Sequence, residues 1–277
     1  MIREIKIGGR DSTLALAQTR FVAGLIARAC PDLRLRIVSM KTRGDLMPDT
    51  PFEEIPERDG KALFTGALEK ALVAGEIDLC VHSMKDLSVN LDGSLPVVGV
   101  PVRGDPRDML VLPADSGAHG GNGAAVGSGA REILGALDES LPVGCSSLRR
   151  RIQLLSLVPG LNIASIRGNV PTRLSKMDTG QYGSLVLAAV GLERLGIERR
   201  GYVFSVQEML PAAGQGALAL QGRRGEDYGF LDAVRDPVSE EETAAERIFI
   251  RSLNCGCGSP AAAYTRISGN EALIAGL

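Results

Sequence analysis

The sequence is poor in the residues that form metal cages and disulfide frameworks. Its 277 residues include 5 cysteines and 2 histidines, and no Cys-x-x-Cys pair occurs. An odd, scattered set of cysteines is not a disulfide framework. A Cys/His zinc cage needs more ligands than two histidines supply. We therefore expect free thiols in a reducing compartment and no metal site.

Long apolar runs are also missing. No run of about 18 apolar residues occurs, which is the length that spans a bilayer. Charged residues interrupt the N-terminus before the apolar core of a signal peptide could begin. These absences predict a cytoplasmic protein without a membrane partner.

Two further absences concern nucleic acids and nucleotides. The formal net charge of −2 lacks the basic excess that nucleic-acid binding normally requires. No Walker pattern occurs, and the glycine-rich stretch GGNGAAVG does not stand between a strand and a helix, as a dinucleotide fingerprint must. We expect no nucleic-acid partner, and nucleotides are disfavoured as ligands.

Arginine, by contrast, is abundant. Only six of the 31 basic residues are lysines. A GC-rich genome would raise arginine and glycine together. A site for carboxylates or phosphates would also favour arginine, because guanidinium binds such groups bidentately. Composition leaves both interpretations open.

The order of segments indicates an α/β protein. Strand-like segments such as REIKIGG and LRLRIVSM alternate with helix-like segments of ten residues or more. This order predicts βαβ units with mixed, mostly parallel sheets. Ser12 is a predicted N-cap, and Ser239 with Glu242 a predicted capping box. The length predicts two domains, or two and a small third.

Basic residues recur where predicted strands end and helices begin. Ligands of parallel α/β sheets gather at such junctions, because helix N-termini direct free N–H groups at anions. The pattern predicts a ligand with several carboxylates or phosphates. The four junctions are GGRDS with Arg10 and Ser12, HSMKD with Ser83 and Lys85, CSSLRR with Ser146, Ser147, Arg149 and Arg150, and SIRGN with Arg167 and Asn169.

One carboxylate and one pair of cysteines are further candidates for chemistry. Asp86 follows Lys85 and is either a helix-start aspartate in a local ion pair or an acid–base group, and spacing alone favours the first. The segment NCGCGSP holds Cys255 and Cys257, one residue apart. With disulfide and metal disfavoured, a thiol presented to a covalent partner remains.

Several of these motifs, taken together, resemble the porphobilinogen deaminase (hydroxymethylbilane synthase) family. They are IGGRDSTLALAQT, TRGD, VHSMKD, SSLRR, IRGNVPTRLSKMDTGQYGSLVLAAVGLERLG, PAAGQGALAL and AERIFIRSLNCGCGSP, and the similarity runs from about Ile2 to about Ala263. The resemblance implies two periplasmic-binding-protein-like lobes with the active cleft between them, and a small α/β C-terminal domain. Domain one would be residues 1–102 and 201–220, domain two 103–200, and domain three 221–277. Domain three would be shortened, because only 20 residues follow Cys257.

The resemblance also implies an activity. The family is a transferase of tetrapyrrole (porphyrin and haem) biosynthesis that condenses four porphobilinogen molecules into linear hydroxymethylbilane and releases ammonia. The chain grows on a dipyrromethane cofactor held by a cysteine thioether. The substrate is a small molecule, and we expect a monomer.

The family's functional residues map onto this sequence at matching motif positions. Cys257 matches the cysteine that holds the cofactor, and Asp86 the catalytic aspartate. Further cofactor-binding positions match Lys85, Ser147, Arg149 and Arg150. Substrate-binding positions match Arg10, Ser12, Arg103, Arg167, Arg194 and Gln215.

The sequence departs from the family's pattern at several positions. Asp11, Gly66 and Cys145 stand where the family usually carries other residue types, and the glycine-rich residues 116–129 resemble an insertion. Two alternatives therefore stay open. One is a catalytically inactive family member, and the other is a two-lobed carboxylate-binding protein without catalysis.

Overall fold

The computed structural model describes residues 4–42, 65–114, 129–254, 259–269 and 271–277. Its first lobe starts with a strand, a long helix and a second strand. Ser12 caps that helix, since its hydroxyl oxygen accepts from the Ala15 N–H at 3.3 Å, which confirms the predicted N-cap. The elements of the lobe before the chain leaves it are β1 (Glu4–Arg10), α1 (Thr13–Ala29), β2 (Arg34–Met40), α2 (Gly66–Val73), β3 (Leu79–Ser83) and β4 (Val97–Gly99).

The first sheet has the order β2-β1-β3-β10-β4, in which β10 is Leu218–Gln221. Strand β1 is parallel to β2 and β3, whereas β10 runs antiparallel to β3 and β4. Ile5, Ile7, Val22 and Ile26 pack between β1 and α1 and are almost completely buried. Burial of these side chains attaches the helix to the sheet.

The second lobe repeats this arrangement. Its sheet has the order β7-β6-β8-β5-β9, with β6 parallel to β7 and β8, and β5 antiparallel to β8 and β9. The expectation of two lobes with mixed, mostly parallel sheets is confirmed. Its elements are β5 (Asp108–Val111), α3 (Ala130–Gly135), β6 (Val143–Gly144), α4 (Leu148–Leu157), β7 (Ile163–Ala164), α5 (Val170–Asp178), β8 (Ser184–Ala188), α6 (Ala189–Arg194) and β9 (Gly201–Val203).

The chain passes between the lobes twice, through residues 100–107 and 204–217, which we call the crossing segments. Each leads into the antiparallel strand of the lobe that it enters. The segments touch where the Gly104 N–H donates to the Gly216 carbonyl oxygen at 3.2 Å. Residues that begin or end these segments therefore lie at the junction of the two lobes.

Two expected domain boundaries differ from the structure. Gly201–Val203, assigned above to the return segment of domain one, pairs with β5 in the second sheet and covers its open edge. Leu231 and Val234, assigned to domain three, pack into the apolar core of the first lobe. The first lobe thus begins again after residue 203 and extends beyond residue 220.

The C-terminal unit is a helix packed on a two-stranded antiparallel sheet: α7 (Pro237–Ser252), β11 (Ala263–Ser268) and β12 (Glu271–Gly276). The predicted capping box is wrong, because Asp236 caps this helix through the Ser239 N–H at 2.9 Å. Pro237 favours this start, since its ring fixes φ and it has no N–H to satisfy. None of the helices in the described ranges combines the length and apolar character needed to cross a membrane.

Candidate active site

A chain of hydrogen bonds joins the two lobes at the crossing segments. The Lys85 ammonium, just after β3, donates to Gln215 Oε1 at 3.1 Å. Gln215 is fully buried, and its Nε2 donates to Asp108 Oδ1 at 2.8 Å and to the Pro106 carbonyl at 2.7 Å. One amide side chain thus connects a lysine of the first lobe to a carboxylate of the second.

Asp108 is the centre of this network. It begins β5, is completely buried, and accepts from Arg149 at 2.8 Å and from Arg150 at 2.7 and 3.1 Å. Burial alone would raise the pKa of Asp108, but the charges of Arg150 and Arg149 outweigh it and lower the pKa to about 2. The carboxylate therefore stays ionised and fixes both guanidinium groups at the start of α4.

These contacts change the interpretation of Arg149 and Arg150. The predicted anion-binding arginines are buried and already share a carboxylate, and their other donors reach the Leu210 and Val186 carbonyl oxygens. Ser147 caps α4 by accepting from the Arg150 N–H at 3.5 Å. Any anion held here binds a preorganised pair and not two mobile side chains.

The electrostatics of the cluster indicate an excess of positive charge. Burial and then the charge of Arg150 lower the pKa of the Lys85 ammonium to about 8. Burial and the same arginine lower the pKa of Arg173, which lies on the first turn of α5. Asp86 and Asp108 supply two negative charges to the cluster. Its four cations are Lys85, Arg149, Arg150 and Arg173.

The excess of cations over carboxylates indicates whether these residues can bind a dipyrromethane. A cation whose pKa is lowered by burial and by like charges is stabilised when an anion approaches it. A group bearing several carboxylate arms supplies such anions, and guanidinium donors match carboxylate geometry. The side chains present therefore fit the group.

Asp86 lies at the open side of this cluster. It ends the short 3₁₀ turn Met84–Asp86 that follows β3, and its side chain is exposed. Its charge acts on both Lys85 and Arg150, so the carboxylate lies close to cations of both lobes. It is positioned to meet a ligand that enters from solvent.

Other predicted residues lie at the carboxyl ends of strands, as their spacing implied. Arg10 is the last residue of β1, and Arg167 follows β7; both are half-buried. The Arg10 charge acts on His82, and Arg167 acts on Arg173. Arg167 therefore lies near the cation cluster, whereas Arg10 lies near the buried His82 of the first lobe.

Arg103 and Arg194 lie inside the crossing. Arg103 donates to both oxygens of Glu246, at 2.7 and 3.1 Å, and to the Gln215 carbonyl at 2.9 Å. Arg194 donates to the Gly216 carbonyl at 2.7 Å, and burial lowers its pKa to about 10. Their substrate-binding role stays a prediction, against which the burial of Arg103 counts.

Cys257 and Cys255 lie outside the described residues. The residues that flank this segment, Asn254 and Ser259, line a cavity of about 320 Å³ together with Lys85. Burial raises the pKa of the thiols of Cys80 and Cys145, which makes both poor nucleophiles at neutral pH.

Sequence reasoning missed Asp108 and Arg173. Asp108 stands in a turn-rich stretch, and nothing local indicates that it pairs with arginines about 40 residues later. Arg173 had a weaker signal, since it lies one helical turn after the basic junction of Arg167 and Asn169.

The matching family model and the most similar relatives in sequence indicate one family. The family model "Porphobilinogen deaminase, dipyromethane cofactor binding domain" matches residues 5–229. The porphobilinogen deaminase of Ruminiclostridium josui is 43% identical over 277 residues, which is 100% of this chain and 87% of the relative. That of Acetivibrio thermocellus is 42% identical over 274 residues, covering 99% and 87%.

A solved structure supports the fold independently. Full-length CbnR in complex with its target DNA matches with a TM-score of 0.50 at 11% identity, over 84% of this chain and 68% of that one. At this identity the likeness concerns the fold alone. The matches in sequence, by contrast, extend over the whole chain, so this protein belongs to the porphobilinogen deaminase family.

Proposed function

We propose that this chain is a hydroxymethylbilane synthase, which condenses four porphobilinogen molecules into linear hydroxymethylbilane on a dipyrromethane bound to Cys257. The observation that carries the proposal is the inter-lobe network of Lys85, Gln215 and Asp108 with Arg149 and Arg150. It places an excess of buried positive charge beside an exposed carboxylate, Asp86. Such a site suits a substrate with carboxylate arms and a transient cationic ring.

The basic residues bind and orient the substrate. Arg10 and Arg167 lie at the strand ends of opposite lobes, where bidentate contacts to acetate and propionate arms would fix the ring between them. Asp108 prevents Arg149 and Arg150 from turning away, because both guanidinium groups already bond to it. A bound dipyrromethane supplies the free pyrrole carbon to which the first substrate ring is joined.

Asp86 is the group that we assign to the chemistry. When porphobilinogen loses its amino group as ammonia, positive charge spreads to the ring nitrogen, and a fixed carboxylate stabilises it. After the new carbon–carbon bond forms, the ring carbon must lose its proton, which Asp86 can accept and pass to solvent. Its exposure in the structure leaves a path for that proton.

The matched variants Asp86→Asn and Asp92→Asn test this assignment. Asp92 lies in the same loop and is also exposed, but its carboxylate accepts from Ser94. We expect Asp86→Asn to lower turnover by about 10²–10⁴-fold while the fold is kept, and Asp92→Asn to stay within about twofold of the parent. Normal turnover by folded Asp86→Asn contradicts the role.

Binding and ammonia release by the parent protein distinguish the proposed function from both alternatives. A parent protein that binds porphobilinogen but releases no ammonia would be the carboxylate-binding protein or the inactive family member. The finer expectations, a cytoplasmic monomer with no membrane or nucleic-acid partner, remain part of this proposal.

A further inference from the structure

A second basic groove adjoins the inter-lobe network at Lys85 and lies between the loop after β3 and the helix α7. Two neighbouring cavities of about 320 and 820 Å³ share Met84, Val89, Asn90, Arg247 and Arg251 in their walls, so they lie side by side. Each volume lies within the ~300–1,000 Å³ that is usual for small-molecule pockets. We call this space the α7 groove and define it by Asn90, Leu91, Val97, Arg247, Ile248 and Arg251.

The walls of the groove carry an excess of positive charge, although the chain as a whole has a net charge of −2. Four basic side chains and one carboxylate, Glu240, line the two cavities. Glu240 is already bound by Arg235 at 2.7 and 2.8 Å and by the Val100 N–H at 3.2 Å. The remaining positive charge, on Lys85, Arg247 and Arg251, attracts an anionic ligand.

Two arginines of the groove, Arg247 and Arg251, lie on the same helix. Arg247 and Arg251 are four residues apart on α7, so their side chains lie on one face of the helix. Arg247 is fixed because it donates to the Leu87 and Ser88 carbonyl oxygens. Arg251 is exposed, and in the part of the chain that the structure describes no carboxylate lies within ion-pair distance of it. It can turn towards an anion without breaking a contact.

Apolar side chains lie between these charges. Leu91 and Val97 form part of one wall, and Ile248 on the opposite wall is 55% exposed. Flat apolar rings would cover these side chains, and carboxylate arms would reach the arginines. The groove therefore matches a chain of pyrrole rings with carboxylate arms better than a compact anion such as phosphate.

We infer that the α7 groove binds the carboxylate arms of the linear pyrrole chain outside the inter-lobe site. The inference rests on the proposed function, since it takes its ligand from that reaction. One end of the groove is lined by Lys85 and by Asn254 and Ser259, the described residues that come before and after the segment with Cys257 in the sequence. A pyrrole chain bound to Cys257 could place its carboxylate arms in this basic groove as the chain lengthens or as the product leaves.

Equilibrium binding of an unreactive probe to the cofactor-loaded protein tests the inference. The probe is a synthetic dipyrromethane with acetate and propionate arms and no aminomethyl group, titrated calorimetrically at low salt. We expect Arg251→Glu to weaken binding about tenfold, because a charge-assisted contact becomes a repulsive one. Arg266→Glu is the matched control, since Arg266 is an exposed arginine of the same unit and lines neither cavity.

The outcomes separate this inference from the proposed function. Equal affinities of Arg251→Glu and Arg266→Glu, or no binding of the probe to the parent protein at millimolar concentration, overturn the α7 groove as a site. Porphobilinogen turnover by the parent is measured separately. If the parent does not turn over but Arg251-dependent probe binding is present, the groove stands and the proposed reaction fails.

Discussion

His82 is a buried histidine whose charge state couples stability to pH. Its Nε2–H donates to Gln221 Oε1 at 3.0 Å, and Gln221 in turn donates to the Leu95 carbonyl at 3.1 Å. Burial lowers the pKa of His82 to about 4, and the charge of Arg10 contributes in the same direction. The imidazole is therefore neutral in the folded protein at pH 7.

This shift predicts a loss of stability in mild acid. Between about pH 6.5 and pH 4 the unfolded chain holds a proton on this histidine and the folded protein does not, so stability falls as the pH falls. We expect His82 to contribute a decrease of roughly 2 kcal/mol in the unfolding free energy from pH 7 to pH 5. Urea unfolding of the parent and of His82→Gln at both pH values measures it, and parallel losses in both proteins would refute it.

At the same scale, the limits of sequence reasoning follow from distance along the chain. Arg10, Lys85 and Arg167 could be predicted to lie at or just after strand ends, because strand ends and basic residues are both visible locally. Asp108 could not, because its partners Arg149 and Arg150 follow about 40 residues later and meet it only across the second sheet. The cations were visible in the sequence, but not the carboxylate that organises them.

At the scale of elements, one buried carboxylate of α7 contacts both crossing segments. Glu246 is fully buried, pairs with Arg103 at 2.7 Å, and accepts from the N–H groups of Gly214 at 2.6 Å and Thr265 at 2.8 Å. It thus binds both crossing segments and β11 to one helix. Arg103 also lies 5.4 Å from the centre of the Tyr264 ring.

Removal of the negative charge of Glu246 is therefore expected to lower the unfolding free energy. Glu246→Gln removes the nearer ionic partner of the buried Arg103 and leaves Glu242, at 3.7 Å, as the other. We therefore expect a loss towards the lower end of ~3–5 kcal/mol in unfolding free energy. Glu241→Gln is the control, because Glu241 is exposed on the same helix and should stay within about 0.5 kcal/mol of the parent. Equal unfolding free energies of the two variants in urea would contradict this account.

Element types were easier to predict from sequence than their ends and partners. The helix over α7 follows from its apolar periodicity, but its start does not, since Asp236 with Pro237 and Ser239 with Glu242 are both plausible caps. Tertiary contacts decide: Ser239 is buried and accepts from the Arg103 N–H at 2.9 Å, and Glu242 accepts from the Ile267 N–H at 3.0 Å. Strand β9 was assigned to the wrong lobe because its pairing with β5 is not encoded locally.

At the scale of the whole molecule, the two lobes depend on close contact of the crossing segments. Gly216 has φ +91°, and a Cβ there would overlap the Gly104 carbonyl oxygen. Gly225 has a similar φ of +85°, with no atom within 4 Å of a Cβ. A comparison of alanine substitutions at Gly216 and Gly225 therefore distinguishes the destabilisation due to positive φ from the destabilisation due to the steric overlap.

We expect Gly216→Ala to be less stable than Gly225→Ala by about 2 kcal/mol, since only the first must push the crossing segments apart. For a chain of 277 residues the difference corresponds to roughly 3–4 °C in thermal midpoint. Calorimetry of both variants provides the measurement. Equal midpoints would mean that the crossing tolerates a wider separation than the structure indicates.

The central claim concerns the whole molecule: this member of the porphobilinogen deaminase family holds its dipyrromethane on Cys257. The most direct test is the mass of the denatured protein, followed by tandem mass spectrometry of the peptide that contains both Cys255 and Cys257. We expect the parent and Cys255→Ser to carry the added mass of a dipyrromethane, and Cys257→Ser to have the mass of the bare chain. An adduct on Cys255, or a parent protein without any adduct, would contradict the account.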